Sequence, residues 1–280
     1  MKKKIRASRW ASCTILTLVA AVWVLPIVWA VFTSFKTETE IKTKGFGFLP
    51  KVWTMENYIN ILQNTDNAPI VRWFLNSMFM AVTVAVLSII IVSLTAYGYS
   101  RLKFKYRDQL FYTIMAISLF PSVINIIPLY KIISVFDWVN NAMAMIIPGL
   151  GAVTNIFLVR QFSLGIPKEF DEAARIDGAG EWRIFTMVIL PMLKPVLTVV
   201  ALFSFTSVWN DFLWPTIVFN DVEKMPLTAG LQLLQGAYGG FQLGPILAAA
   251  CIAMIPTFLL YLFAQKYFLQ SMSLSAGVKG

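Results

Sequence analysis

Histidine is absent from all 280 residues. That removes the commonest catalytic base and metal ligand. Cysteine is scarce: Cys13 and Cys251 both lie inside apolar runs, where they read as small core residues rather than as a disulfide or a metal pair. Charged residues make up only 13% of the chain against 58% hydrophobic, which excludes an ordinary soluble domain. No Gly-Lys dipeptide occurs, so the chain has no phosphate-cradling loop of its own. It also has no metal cluster, nucleophile elbow or glycine-rich dinucleotide turn. No internal repeat of the kind that marks many secondary carriers is visible. A membrane-embedded enzyme, without histidine or a carboxylate pair, has little to work with.

What is present is a series of apolar runs long enough to cross a bilayer. They place six transmembrane helices at 11–35, 73–97, 109–131, 141–162, 195–220 and 245–268. The fold class is therefore an all-α polytopic membrane protein. The first run is too long and too bulky at its end for a signal peptide, so it reads as a retained span, kinked by Pro26. Between the spans lie an N-terminus at 1–10, outer loops at 36–72 and 221–244, a polar inner loop at 165–194 and a tail at 269–280. The net charge of +9 could suggest nucleic acid, but its distribution argues for a bilayer and no nucleic acid. With both termini inside, sixteen of the 23 Lys and Arg fall on the inner side. Five of the other seven sit in the long 36–72 loop, beside four acids. The positive-inside rule weights short loops most, so the N- and C-termini are expected to be cytoplasmic.

The polar stretch at 169–191 stands apart from the rest. Pro167 can open a helix, and Glu169, Asp171 and Glu172 favour the positive end of its dipole. Gly178 suits a left-handed helix end, and Gly180 adds freedom. The spacing predicts a three-turn helix over about 167–177, too short to span. Ala173 and Ala174 give it a thin side. A second helix from Glu181 should put Trp182, Phe185 and Ile189 on one face. The unexceptional reading is an amphipathic connector lying on the membrane.

Polar groups at membrane depth are few. Asn125 lies between Pro121 and Pro128, where a broken helix is tolerated if it is buried or lines a cavity. It either hydrogen-bonds backbone freed by a proline or faces a translocation path. Asp211, beside Asn210, lies roughly 24 Å along a helix from Pro195. An ionised acid at a span centre costs ~2.5–3.5 kcal/mol and less near the interface, so it is a functional candidate by default. Otherwise it is an interfacial acid in an aromatic belt with Trp209 and Trp214. Ala81 with Ala85, and Ala249 with Ala253, offer small-residue seams.

Glu172-Ala173-Ala174, then Gly178, then Val188-Ile189-Leu190-Pro191 resembles the EAA motif of ABC importer permeases, with Val188 where that family usually has Ile. Glu56-Asn57-Tyr58-Ile59, Asn76-Ser77, Pro128-Leu129-Tyr130, Trp209-Asn210-Asp211-Phe212 and the closing Ser-Ala-Gly-Val-Lys-Gly also resemble the sugar-type, and especially the maltose-type, members. The resemblance covers most of the chain and implies a type I permease fold. It further implies that 165–194 holds a coupling helix docking on a cytoplasmic ATPase through Glu172, Ala173, Ala174, Asp177, Gly178 and Pro191. By the same resemblance, Gly277, Lys279 and Gly280 of the tail contact the ATPase pair, although a disordered end is the plain expectation. Gly236, Gly239 and Gly240 become the candidate tip of a loop reaching an extracytoplasmic binding protein. The partners implied are a second, different permease, two ATPase subunits carrying the ATP and Mg, and that binding protein. No cofactor is implied on this chain. The function implied is sugar or oligosaccharide import by alternating access. Within that class the runner-up solute is glycerol phosphate. In another class stands an ion-coupled carrier using Asp211, in which the 169–191 stretch has no role.

Overall fold

A computed structural model describes residues 2–44, 47–63, 68–237 and 242–277. Every regular element among the described residues is helical. In chain order these are α1 (Lys2–Ser34), α2 (Glu38–Lys44), α3 (Glu56–Gln63), α4 (Ile70–Arg101) and α5 (Arg107–Ser118). A 3-10 turn at Ser122–Asn125 leads to α6 (Ile126–Val135), α7 (Met143–Gly149), α8 (Val153–Leu164) and α9 (Glu169–Ile176). Then α10 (Glu181–Ile184) passes through a π-turn at Phe185–Ile189 into α11 (Leu190–Met192) and α12 (Lys194–Trp209). Last are α13 (Leu213–Val218), α14 (Leu227–Ala237) and α15 (Leu243–Gly277).

Four segments are long and apolar enough to span: Ser12–Ser34, Ile70–Arg101, Met143–Leu164 and Leu243–Gln265. Two further pairs bend sharply, Arg107–Ser118 with Ser122–Val135 by 88° and Glu181–Met192 with Lys194–Trp209 by 78°. Counting each pair as one span gives six. Prolines lie at both bends: Pro121 in the first, Pro191 and Pro195 flanking the second. Each lacks the N–H that would continue the ladder.

The chain divides into two compact units. The first takes Met1–Val71 and Gly230–Ile255. Its α1 runs unbroken through Pro26, and none of its apolar window is buried, so its Leu, Val and Trp side chains suit a lipid surround. Cys13 is exposed on it, not in a core, while Cys251 is half-buried and both are free. The end of α1 is closed by Asn57, whose Nδ2 donates to the Ser34 and Lys36 carbonyls at 2.8 Å each. Tyr58 shares a 2.7 Å hydrogen bond with Ser34 Oγ. Asn57-Tyr58 thus closes the preceding long helix, not its own. A Cβ on Gly244 would lie 2.7–2.9 Å from the Asn57 side chain, so only glycine fits against this cap.

The second unit takes Arg72–Ala229 and Pro256–Gly280. Its spine is α4. Trp73, Ser77, Ala81, Val84, Ser88 and Val92 are buried on one stripe, while Leu75, Phe79, Val82, Val86 and Ile90 are exposed. Beyond Trp73 the buried stripe is made of Ser, Ala and Val, and the exposed side carries Leu, Phe, Ile and Val, the pattern of a helix packed through small residues in a membrane bundle. At its first turns Asn76 donates to the Glu223 and Met225 carbonyls, and Ser77 accepts the Leu227 amide at 2.7 Å, capping α14. Trp209 is not part of a belt: it is buried, stacked on Phe205 and edge-on to Phe74.

Candidate functional site

The polar stretch folds as three linked pieces at one end of the second unit. α9 starts two residues later than Pro167 predicts, because the Asp171 and Glu172 amides close on the Lys168 carbonyl. Its C-terminus is a complete Schellman turn. Ala179 N–H donates to Ala174 O, Gly178 N–H donates to Arg175 O, and Gly178 has φ +77°. Asp177 sits at the cap.

One face of α9 is held inward. Arg101 Nη1 meets Asp171 Oδ2 at 3.0 Å, with side chains 3% and 5% exposed. Arg101 Nη2 also donates to the Ser163 and Ile166 carbonyls at 2.6 and 2.8 Å. One guanidinium therefore ties the end of α4, the end of α8 and the start of α9. Arg101 Nε and Asp171 Oδ1 are buried without hydrogen-bond partners, so the pair is single-pronged. Ala174 packs against the apolar core that contains Tyr97, Phe185, Ile189 and Leu193.

A second link is more exposed. Arg175 Nη2 lies 2.7 Å from Glu181 Oε1, and Tyr97 O–H donates to Glu181 Oε2 at 2.7 Å. Glu181 opens the segment ahead of the bend.

The opposite face of α9 is free. Glu169, Glu172, Ala173 and Ile176 recur at helical spacing, and all are exposed, Ile176 at 87%. The two alanines are thus divided, Ala174 inward and Ala173 outward. The expected face of Trp182, Phe185 and Ile189 is only partly realised. Phe185 and Ile189 are buried, but Trp182 is 68% exposed. The π-turn explains it: the wider turn offsets Trp182 from the register of the later residues. That turn directly precedes Pro191, which cannot donate into the ladder.

A second feature lies where the broken helices approach each other. A cavity of about 370 Å³ is walled by the 3-10 turn, α6, α7, the end of α12 and the start of α13. Asp211 lines it. Asn125 and Asn210 do not: both are exposed, and Asn125 makes no cap hydrogen bond to α6. α12 stops at Trp209, so Asp211 stands in a helix break, not sixteen residues along a continuous helix. Gly236 falls on α14 and Gly277 ends α15, so the helix continues through most of the tail. Gly239, Gly240, Lys279 and Gly280 lie outside the described residues.

A family model described as "Binding-protein-dependent transport system inner membrane component" matches residues 89–274. The chain belongs to that family. It is a multi-pass inner-membrane permease component, and both the α9 segment and the cavity fall within the matched region. The arabinooligosaccharides transport system permease protein AraQ of Halalkalibacterium halodurans is 32% identical over 264 residues, covering 94% of this chain and 93% of that protein. The diacetylchitobiose uptake system permease protein NgcG of Streptomyces coelicolor is 33% identical, over 94% of this chain and 86% of its own. The trehalose/maltose transport system permease protein MalG of Thermococcus litoralis is 29% identical, over 92% and 93%. Among solved structures, a chain of a bacterial ABC transporter involved in the import of the acidic polysaccharide alginate shares the fold. Its TM-score is 0.83 at 23% identity, covering 94% of this chain and 97% of that one.

Sequence reasoning missed Arg101, Tyr97, Ser163 and Glu181 as partners of the polar helix. Arg101 stood only as one cation of a basic loop. The available signal was that it ends a long apolar helix whose last turns also carry Tyr97 and Ser100 on the buried stripe.

Proposed function

We infer that this permease imports a sugar or oligosaccharide by alternating access, driven through α9 by separate ATPase subunits. The observation that carries the reading is the two-sidedness of α9. Its inner face is fixed to α4 and α8 through Arg101, while Glu169, Glu172, Ala173 and Ile176 form an outer face with nothing on it. A short helix tied at its base and open on its far side suits a rigid lever. Docked in a cleft of an ABC ATPase at the cytoplasmic face, it would pass ATPase closure to the spans. Glu172 supplies the charge for a basic partner group. ATP and Mg bind on the ATPase subunits in this reading, and this chain holds no ATPase site. A second permease completes the path, and an extracytoplasmic binding protein delivers the solute near 236–240. The relatives named for arabinooligosaccharides, diacetylchitobiose and trehalose/maltose support a sugar as cargo.

The test is affinity purification of the tagged chain from native membranes in mild detergent, with mass spectrometry of what accompanies it. The expected companions are a P-loop ATPase and a second permease. Glu172→Lys should lose the ATPase and keep the permease. A chain that purifies alone, or keeps its ATPase in the variant, contradicts the reading.

A further inference from the structure

The cavity at the broken spans carries chemistry that the coupling helix does not use. Asp211 is the one charged residue among its described lining, and no lysine or arginine pairs with it among the described residues. Its surroundings hold it in place. Asp211 Oδ1 accepts the Trp214 amide at 3.3 Å, and its backbone carbonyl accepts the Thr228 hydroxyl at 2.6 Å. The Trp214 indole is fixed as well, donating Nε1–H to the Ala144 carbonyl at 2.8 Å. Ser122 and Ser207 are the other polar side chains on the wall, and the rest is apolar.

A fixed acid, a fixed aromatic ring and two hydroxyls in an apolar wall match the usual make-up of a small-molecule site. The volume also falls within the roughly 300–1,000 Å³ such sites occupy. A carboxylate only accepts hydrogen bonds, so the ligand it selects must bring donors. A uronate or phosphate would instead set like charges together with no cation to offset them.

We propose that this cavity is a binding subsite for a neutral oligosaccharide in transit, with Asp211 accepting hydrogen bonds from sugar hydroxyls and Trp214 lying against a ring face. The proposal rests on the importer reading and adds the charge class of the cargo and the residues that read it. It sets this chain apart from two of its likenesses. One is the structure of a transporter importing acidic alginate. The other is the sn-glycerol-3-phosphate transport system permease protein UgpE of Escherichia coli, 28% identical.

The test is uptake into cells carrying the complete importer. The labelled probes are arabinotriose, N,N′-diacetylchitobiose and trehalose as neutral sugars, and digalacturonate and glycerol 3-phosphate as anions. Wild type should take up at least one neutral probe and neither anion. Asp211→Asn should cut neutral uptake about tenfold or more, because a hydrogen bond to a charged acceptor is roughly twice as strong as one to a neutral acceptor. The co-purified ATPase should be unchanged. Ser207→Trp, which fills the cavity while leaving Asp211 in place, should block uptake in an assembled complex and decides the matter if the Asn variant does not assemble. Wild-type uptake by an assembled Asp211→Asn or Ser207→Trp importer, or uptake of anions alone, overturns the proposal and leaves the importer reading standing. Loss of the co-purified ATPase from the wild-type chain would instead overturn the importer reading.

Discussion

Asp171 and Asp211 belong to the same unit, and both sit where its helices are interrupted. Their settings are opposite. Asp171 is buried at the base of α9 with Arg101 at 3.0 Å, and the same guanidinium fastens two carbonyls of the α8 end. Asp211 lines a cavity beside a helix break, held by backbone groups, with no cation paired to it among the described residues. An acid locked to a cation and buried is a strut: it fixes where a helix points and presents no accessible oxygen to a ligand. An acid held only by its own backbone neighbourhood stays able to bind. In the proposed reading the first serves force transmission and the second serves solute.

The largest effect expected from breaking this contrast is at Arg101. Arg101→Ala leaves the Asp171 carboxylate buried alone and two carbonyls without their donor. That should cost about 3–5 kcal/mol, read as a large drop in the unfolding temperature of the purified complex. Replacing both partners, Arg101→Met with Asp171→Leu, should recover most of that stability, since apolar substitutes often match a buried pair. ATP-dependent uptake should stay impaired, because α9 is then packed but no longer tied to the α8 end. Gly178→Ala comes next. A Cβ there meets no atom within 4 Å, so the cost is backbone alone, about 1–2 kcal/mol for a left-handed residue. It should appear as a small fall in unfolding temperature. Arg175→Ala removes an ion pair whose side chains are 43% and 48% exposed. It should change stability by only about 0.2–1 kcal/mol, and less in high salt. Smallest of all should be the effect of Asp211→Asn on unfolding temperature, because no ion pair is lost; its effect belongs to uptake.

Much of this was legible in the chain. The apolar runs, the short polar helix and the left-handed Gly178 come from hydropathy, the run of acids after Pro167 and the needs of a helix end. Long-range partnership was not legible. Arg101 and Asp171 are seventy residues apart in sequence, and Tyr97 and Glu181 eighty-four. Nothing local in a basic loop or an acidic first turn says which cation meets which anion. Trp182 went astray because the π-turn after it breaks the period on which the face was counted. A belt position for Trp209 stood as an alternative because hydropathy cannot separate an aromatic at a membrane surface from one stacked in a core. The cavity was out of reach for the same reason. It is made by the break before α6, by α7 and by the end of α12 with the start of α13, and only Asp211 among the three expected polar residues lines it.

The most direct measurement is a double-mutant cycle on Arg101 and Asp171, using Arg101→Met, Asp171→Leu and both together. Unfolding temperature and ATP-dependent uptake would be recorded for the assembled importer. If α9 is strutted to α4 through this pair, each single change is strongly destabilising. The double is then more stable than either, so the coupling exceeds either single cost of about 3–5 kcal/mol, yet it transports poorly. Additive effects with near-normal uptake in all three variants would contradict the strut.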